Sequence, residues 1–98
     1  MESIGEYRET RAFVLLNRQG MHLRSAGQFA KVALRYPADV VVEMNGNVVS
    51  GKSILSLIAL EAPCGCTLRV TVSGSQAKRV LDELEGLIAR KFDLPDEQ

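Results

Sequence analysis

ADVVVEMNGNVVSG, residues 38–51, decides how the rest of the chain is read. Val40, Val42 and Met44 alternate with Val41 and Glu43, the period of a strand with one buried face. Asn45-Gly46 follows, the dipeptide best suited to a two-residue turn with positive φ at both positions. Four more strand residues, 47–50, complete a β-hairpin. Hairpins belong to antiparallel sheets, so the neighbouring segments must be the elements that cover it.

Upstream, TRAFVLLN (residues 10–17) is rich in strand formers and is closed by the turn residues Asn17 through Gly20. The period then changes. Apolar residues at Ala26, Phe29, Ala30, Ala33 and Leu34 take helical spacing, and Pro37 ends that helix by forcing its predecessor out of the α region. Downstream, KSILSLIAL has room for a turn or two of helix, with Ser53 as its N-cap. CTLRVTVSG then alternates again, placing Leu68, Val70 and Val72 on one face. A last helix starts near Ser75, with Val80, Leu81, Leu84, Leu87 and Ile88 as its stripe and Arg90 and Lys91 at its negative end. The order is β-α-β-β-α-β-α. This predicts an α+β, two-layer open-faced sandwich: a four-stranded antiparallel sheet with three helices on one face. One domain spans 1–98, with a core of about 10–91 and loose ends at residues 1–9 and 93–98.

Composition narrows the function. Twelve basic and twelve acidic residues leave no net charge, which argues against a general nucleic-acid binder needing a surplus of cations for phosphates. The start, MESIGEYRET, lacks a basic-then-apolar secretory pattern, and SILSLIALEAP is well short of the ~20 residues that span a bilayer. A cytoplasmic location is expected, with no membrane partner. Cys64 and Cys66, in PCGCT, are poorly spaced for a mutual disulfide and too few for a structural zinc site, so they read as buried or half-buried free thiols.

The single histidine lies in GMHLRSAGQF, residues 20–29. A lone loop histidine is most often an ordinary surface residue. Here its surroundings change that reading. His22 falls at the mouth of the first helix, where unpaired N–H groups and the helix dipole form an anion site. Arg24 adds a guanidinium suited to phosphate oxygens. The local positive field favours a neutral imidazole with a nucleophilic nitrogen. No Asp or Glu lies within several residues, so general acid–base catalysis lacks its second group. No glycine-rich nucleotide loop is present, so any phosphate must come from another protein or a reactive small molecule.

NRQGMHLRSAGQFAKVA after the first strand, together with NGNVVSGKSILSLIAL, resembles the histidine-containing phosphocarrier (HPr) family of the phosphoenolpyruvate-dependent phosphotransferase system. The likeness runs from about Arg11 to Ile88. It implies that His22 takes a phosphoryl group on Nδ1 from phosphorylated enzyme I and passes it to an enzyme IIA. It implies that Arg24 steadies the phosphoryl group, that Ser53 is a regulatory serine open to a kinase and phosphorylase, and that Ile54, Leu55 and Ile58 form an apolar docking patch. From the residues alone, Ser53 is a plain helix cap and an apolar short helix is more often core than interface. The family motif reads His-x-Arg-Pro, whereas this chain has Ser25 at the proline position. Proline's fixed φ fits a first turn, so Ser25→Pro is expected to be tolerated. The resemblance implies a monomeric, stoichiometric carrier with no cofactor and no metal, not an enzyme turning over its own substrate. Two alternatives stay open: a non-phosphorylated α+β binding module, and a nitrogen-branch or purely regulatory homologue.

Overall fold

A computed structural model describes residues 7–97 of the chain. The elements are β1 (Arg8–Val14), α1 (Leu23–Leu34), β2 (Asp39–Met44), β3 (Asn47–Ser50), α2 (Ile54–Ala59), β4 (Thr67–Ser73) and α3 (Ala77–Ala89). Two short 3₁₀ turns, Lys91–Asp93 and Pro95–Glu97, follow. The strands form one antiparallel sheet in the order β1-β4-β2-β3. This is the open-faced α+β sandwich that the alternation and helical spacing predict.

The hairpin forms as expected. Asn45 and Gly46 have φ of 51° and 86°, and the turn sets Met44 opposite Asn47. Val40, Val42 and Met44 of β2 and Leu68, Val70 and Val72 of β4 are buried on one face. Phe29 from α1, Leu57 from α2, and Val80, Leu81 and Leu84 from α3 pack onto that face. Each such side chain contributes about 1.5–3 kcal/mol by leaving water. The opposite face carries polar residues, among them Thr10 and Thr71, whose hydroxyls are 2.7 Å apart. Arg11 reaches from the sheet edge to Asp82 and Glu85 of α3, at 2.8 and 2.7 Å.

Three boundaries differ from expectation. β1 covers Arg8–Val14 and not residues 10–17, because its ladder is as long as its partner β4, with Arg8 opposite Ser73 and Val14 opposite Thr67. α3 begins at Ala77 with Gln76 at the N-cap and no side-chain cap bond. Ser75 is therefore two residues outside the helix. The third difference is the largest. Residues 93–97, expected to be loose, are anchored: Leu94 and Glu97 are buried, next to buried Phe92. The chain reverses after α3 through Lys91, Phe92 and Asp93, all with positive φ. A left-handed turn of non-glycine residues costs about 1–2 kcal/mol per residue, and burial of Phe92 and Leu94 recovers a similar total. A bond from Gln28 Nε2 to the Phe92 carbonyl, 3.3 Å, adds to that. Alternation and helical periodicity do not register such a reversal. The expected looseness of residues 1–6, and the leader-like pattern sought there, lie outside the described residues, as does Gln98. Arg8 and Glu9, expected to be loose, are in β1.

Candidate functional site

The loop between β1 and α1 is held from both ends. Leu15 donates its N–H to the Cys66 carbonyl at 3.0 Å, and Gly65 donates to the Leu15 carbonyl at 2.8 Å. Met21 donates to the Ala62 carbonyl at 2.8 Å. Asn17 is fully buried and donates from Nδ2 to the Gly20 carbonyl at 2.7 Å. Gly20 sits at φ 66°, where a Cβ would run into the Ala62 carbonyl oxygen and Pro63. Only glycine meets both demands, and the close approach fixes where the next residues emerge.

Those residues are Met21, which is buried, and His22, the N-cap of α1, with φ −131° and ψ −170°. His22 Nδ1 accepts the Arg24 N–H at 3.3 Å. A nitrogen that accepts a hydrogen bond carries a lone pair, so the neutral ring bears its proton on Nε2. Nε2 faces inward, shielded from solvent. The imidazole therefore presents Nδ1 at the N-terminus of α1, the end where free backbone N–H groups and the dipole favour negative charge.

Ser25 lies at the third helical position. Its buried Oγ accepts the His22 N–H at 2.8 Å and donates to the Gly20 carbonyl at 2.8 Å. The two side chains form a reciprocal capping box, in which serine replaces the usual Glu or Gln. Ser25 is in the first turn, as expected; proline there would fit the backbone but lack the hydroxyl that bonds the His22 N–H and the Gly20 carbonyl.

Arg24 is exposed, and its guanidinium is engaged. Nη2 donates to Asp96 Oδ2 at 2.7 Å. That bond holds the Asp96 carboxyl below the usual carboxylate range and makes the Arg24 guanidinium still harder to deprotonate. Glu97, the next residue, has a nearly inaccessible side chain. Its carboxylate accepts the backbone N–H of Arg18 at 2.9 Å and of Gln19 at 3.4 Å. Asp96 and Glu97 are absent from the sequence reading because more than 70 positions separate them from the loop they touch. No local pattern spans that distance.

The other residues singled out from sequence divide by exposure. Ser53 caps α2, its Oγ accepting the Ser56 N–H at 3.2 Å. Leu55 is 79% exposed and Ile54 38%, whereas Ile58 is half-buried and packed against the core. Leu23, not singled out from the sequence, is 66% exposed beside His22. Leu23, Arg24, Gly27, Ile54, Leu94 and Pro95 line an open groove of about 490 Å³, so α1, α2 and the C-terminal segment share one surface. Cys64, expected to be buried or half-buried, is exposed because it occupies the turn before β4. Cys66 is half-buried, and burial pushes its thiol pKa up. Among the described residues no helix is long and apolar enough to cross a membrane.

A family model described as "PTS HPr component phosphorylation site" matches residues 9–90. The chain is 39% identical over 80 residues to a phosphocarrier protein HPr of Pseudomonas aeruginosa, covering 81% of this chain and 89% of that protein. It is 30% identical over 83 residues to a phosphocarrier protein NPr of Shewanella violacea, covering 85% and 91%. Among solved structures it is similar to an HPr from Bacillus anthracis, with a TM-score of 0.78 at 27% identity over 83% of this chain and 96% of that one. An HPr-C-His from Thermoanaerobacter tengcongensis shares the fold with a TM-score of 0.84 at 24% identity, over 88% and 97%.

Proposed function

The chain belongs to the HPr family of phosphotransferase-system phosphocarriers, and on that premise we propose that His22 is its phosphoryl acceptor, loaded by phosphorylated enzyme I and unloaded onto an enzyme IIA. The observation that carries this reading is the Nδ1 lone pair held at the start of α1 by the Arg24 N–H. In the transfer, Nδ1 attacks phosphorus as the bond between phosphorus and the donor's leaving atom breaks. The donor departs with that electron pair, and the His22 ring keeps its Nε2 proton. The Arg24 N–H then turns from Nδ1 to a phosphoryl oxygen, and neighbouring N–H groups and the Arg24 guanidinium take up the remaining charge. Unloading is the same exchange in reverse, so the carrier neither consumes a substrate of its own nor needs a cofactor.

Leu23, Ile54 and Leu55 supply the exposed apolar surface against which enzyme I and enzyme IIA dock beside Nδ1. Ile58 supports that surface from beneath. A phosphate on Ser53, added by a kinase and removed by a phosphorylase, would place a dianion at its edge. Docking would then require desolvating that charge without a partner. The carrier works as a monomer in the cytoplasm, because each encounter needs this face free.

The test uses the purified chain, enzyme I and phosphoenolpyruvate. One acid-labile, base-stable phosphoryl group per chain is expected on the wild type and none on His22→Ala, the only imidazole having been removed. Equal labelling of the two would overturn the reading.

A further inference from the structure

The C-terminal strap, residues 91–97, lies beyond the family match, which ends at residue 90. It nonetheless closes on the histidine loop. Two cations flank His22 in the sequence, Arg18 and Arg24, and the strap holds both. Arg24 Nη2 meets Asp96 Oδ2 at 2.7 Å, and Arg18 Nη2 donates to the Asp96 carbonyl at 2.8 Å. The buried Glu97 carboxylate binds the loop backbone at Arg18 and Gln19. Phe92 and Leu94, both buried, fix the strap to the body of the protein. Asp96 is thus a presented carboxylate on an anchored segment, not the end of a free tail.

We propose that Asp96 is a positioning residue that acts through Arg24: it holds the guanidinium while His22 is unmodified and is displaced when His22 carries a phosphoryl group. This rests on the assignment of His22 as acceptor. Asp96 takes the Nη2 donor of Arg24, so a phosphoryl oxygen that takes the same donor must displace the carboxylate. The Asp96 carboxyl is held below the usual carboxylate range, so it is charged throughout neutral pH and the competition is always present. The competition stabilises the unloaded carrier relative to the loaded one. A phosphoryl group on His22 therefore leaves more readily than it would from a carrier without Asp96. The strap would set transfer potential in a chain that also departs from the family motif at Ser25.

The experiment measures the equilibrium constant for loading full-length protein by enzyme I at fixed phosphoenolpyruvate and pyruvate. Wild type, Asp96→Asn, Asp96→Glu, Arg24→Ala and the Asp96→Asn/Arg24→Ala double variant are compared, each with a thermal unfolding curve. Asp96→Asn is expected to raise the loading constant about two- to fivefold, the range of an exposed ion pair. Its gain should shrink at high salt. Asp96→Glu should return toward wild type, and Asp96→Asn should change nothing in the Arg24→Ala background. The same gain in that background would overturn the proposal, since Asp96 would then act on the phosphoryl group without Arg24. An unchanged or lowered constant for Asp96→Asn, in a protein that still loads and unfolds normally, would also overturn it. A wild type that takes no phosphoryl group on His22 would instead remove the assignment beneath it.

Discussion

Ser25→Ala is expected to be costly for a substitution that removes one oxygen atom. The Ser25 hydroxyl is buried and makes two bonds of 2.8 Å, accepting from the His22 N–H and donating to the Gly20 carbonyl. Without it, the Gly20 carbonyl keeps the Asn17 Nδ2 donor at 2.7 Å, so that side of the loss is small. The His22 N–H loses its acceptor at a partly buried position. An orphaned donor of this kind costs about 1–3 kcal/mol. Alanine's better helix propensity returns up to about 0.5 kcal/mol. The net loss is about 1–2 kcal/mol, which for a domain of this size lowers Tm by roughly 5–15 °C. Circular dichroism melts and urea midpoints would measure it, and hydrogen exchange at the His22 amide should accelerate along with the fall in stability. Ser25→Pro should lose the same hydroxyl bonds, with the Arg24 N–H still free to donate to His22 Nδ1. A Tm within ~2 °C of wild type for Ser25→Ala would refute this accounting and leave the helix start held by Gly20 and Asn17 alone.

Arg24→Ala should slow loading of His22 on the order of tenfold to a hundredfold, below the loss for a buried oxyanion donor because Arg24 is exposed; rapid-quench rates against enzyme I would show it, and unchanged rates would make Arg24 a mere partner for Asp96. Ser53→Asp should fold within about 0.5 kcal/mol of wild type, since aspartate caps a helix as well as serine does, yet load more slowly at low enzyme I concentration and normally at high. Loading rates equal to wild type at every concentration would reduce Ser53 to a cap. Stability should be flat near neutrality and fall below about pH 4. The bond from Arg11, then that from Lys78, holds the Asp82 carboxyl below its ordinary value. Its contribution is therefore present above the unfolded pKa of ~3.9 and lost as pH drops through the folded one. Urea midpoints at pH 7 and pH 3 for wild type and Asp82→Asn test this; an identical acid loss in both would assign it elsewhere.

What was legible in the sequence was what depends on neighbours in the chain. The alternation of Val40, Val42 and Met44, the Asn45-Gly46 turn and the stripe from Val80 to Ile88 fix elements locally, and the seven elements so read fit together in few ways. His22 and Arg24 were visible for the same reason, being two positions apart at a recognisable helix start. Asp96 and Glu97 were not, because their meaning depends on a left-handed reversal at residues 91–93 that no glycine advertises.

The hydroxyls of Thr10 and Thr71 meet across β1 and β4 although the residues are 61 positions apart. During synthesis, the first strand must wait for its partner to be translated. At ribosomal speeds of ~5–20 residues per second that interval is several seconds, far longer than a helix or hairpin takes to form. Through that wait Phe13 and Leu15 have no sheet to enter, and the carbonyls of Ala62 and Cys66 that will seat the histidine loop have only just been made. A nascent chain thus carries His22 from early on but cannot present it until β4 zips between β1 and β2, the long-range closure that sets folding speed in such topologies. With His22 as the phosphoryl acceptor proposed above, a product broken off before that closure would hold the imidazole and nothing to aim it.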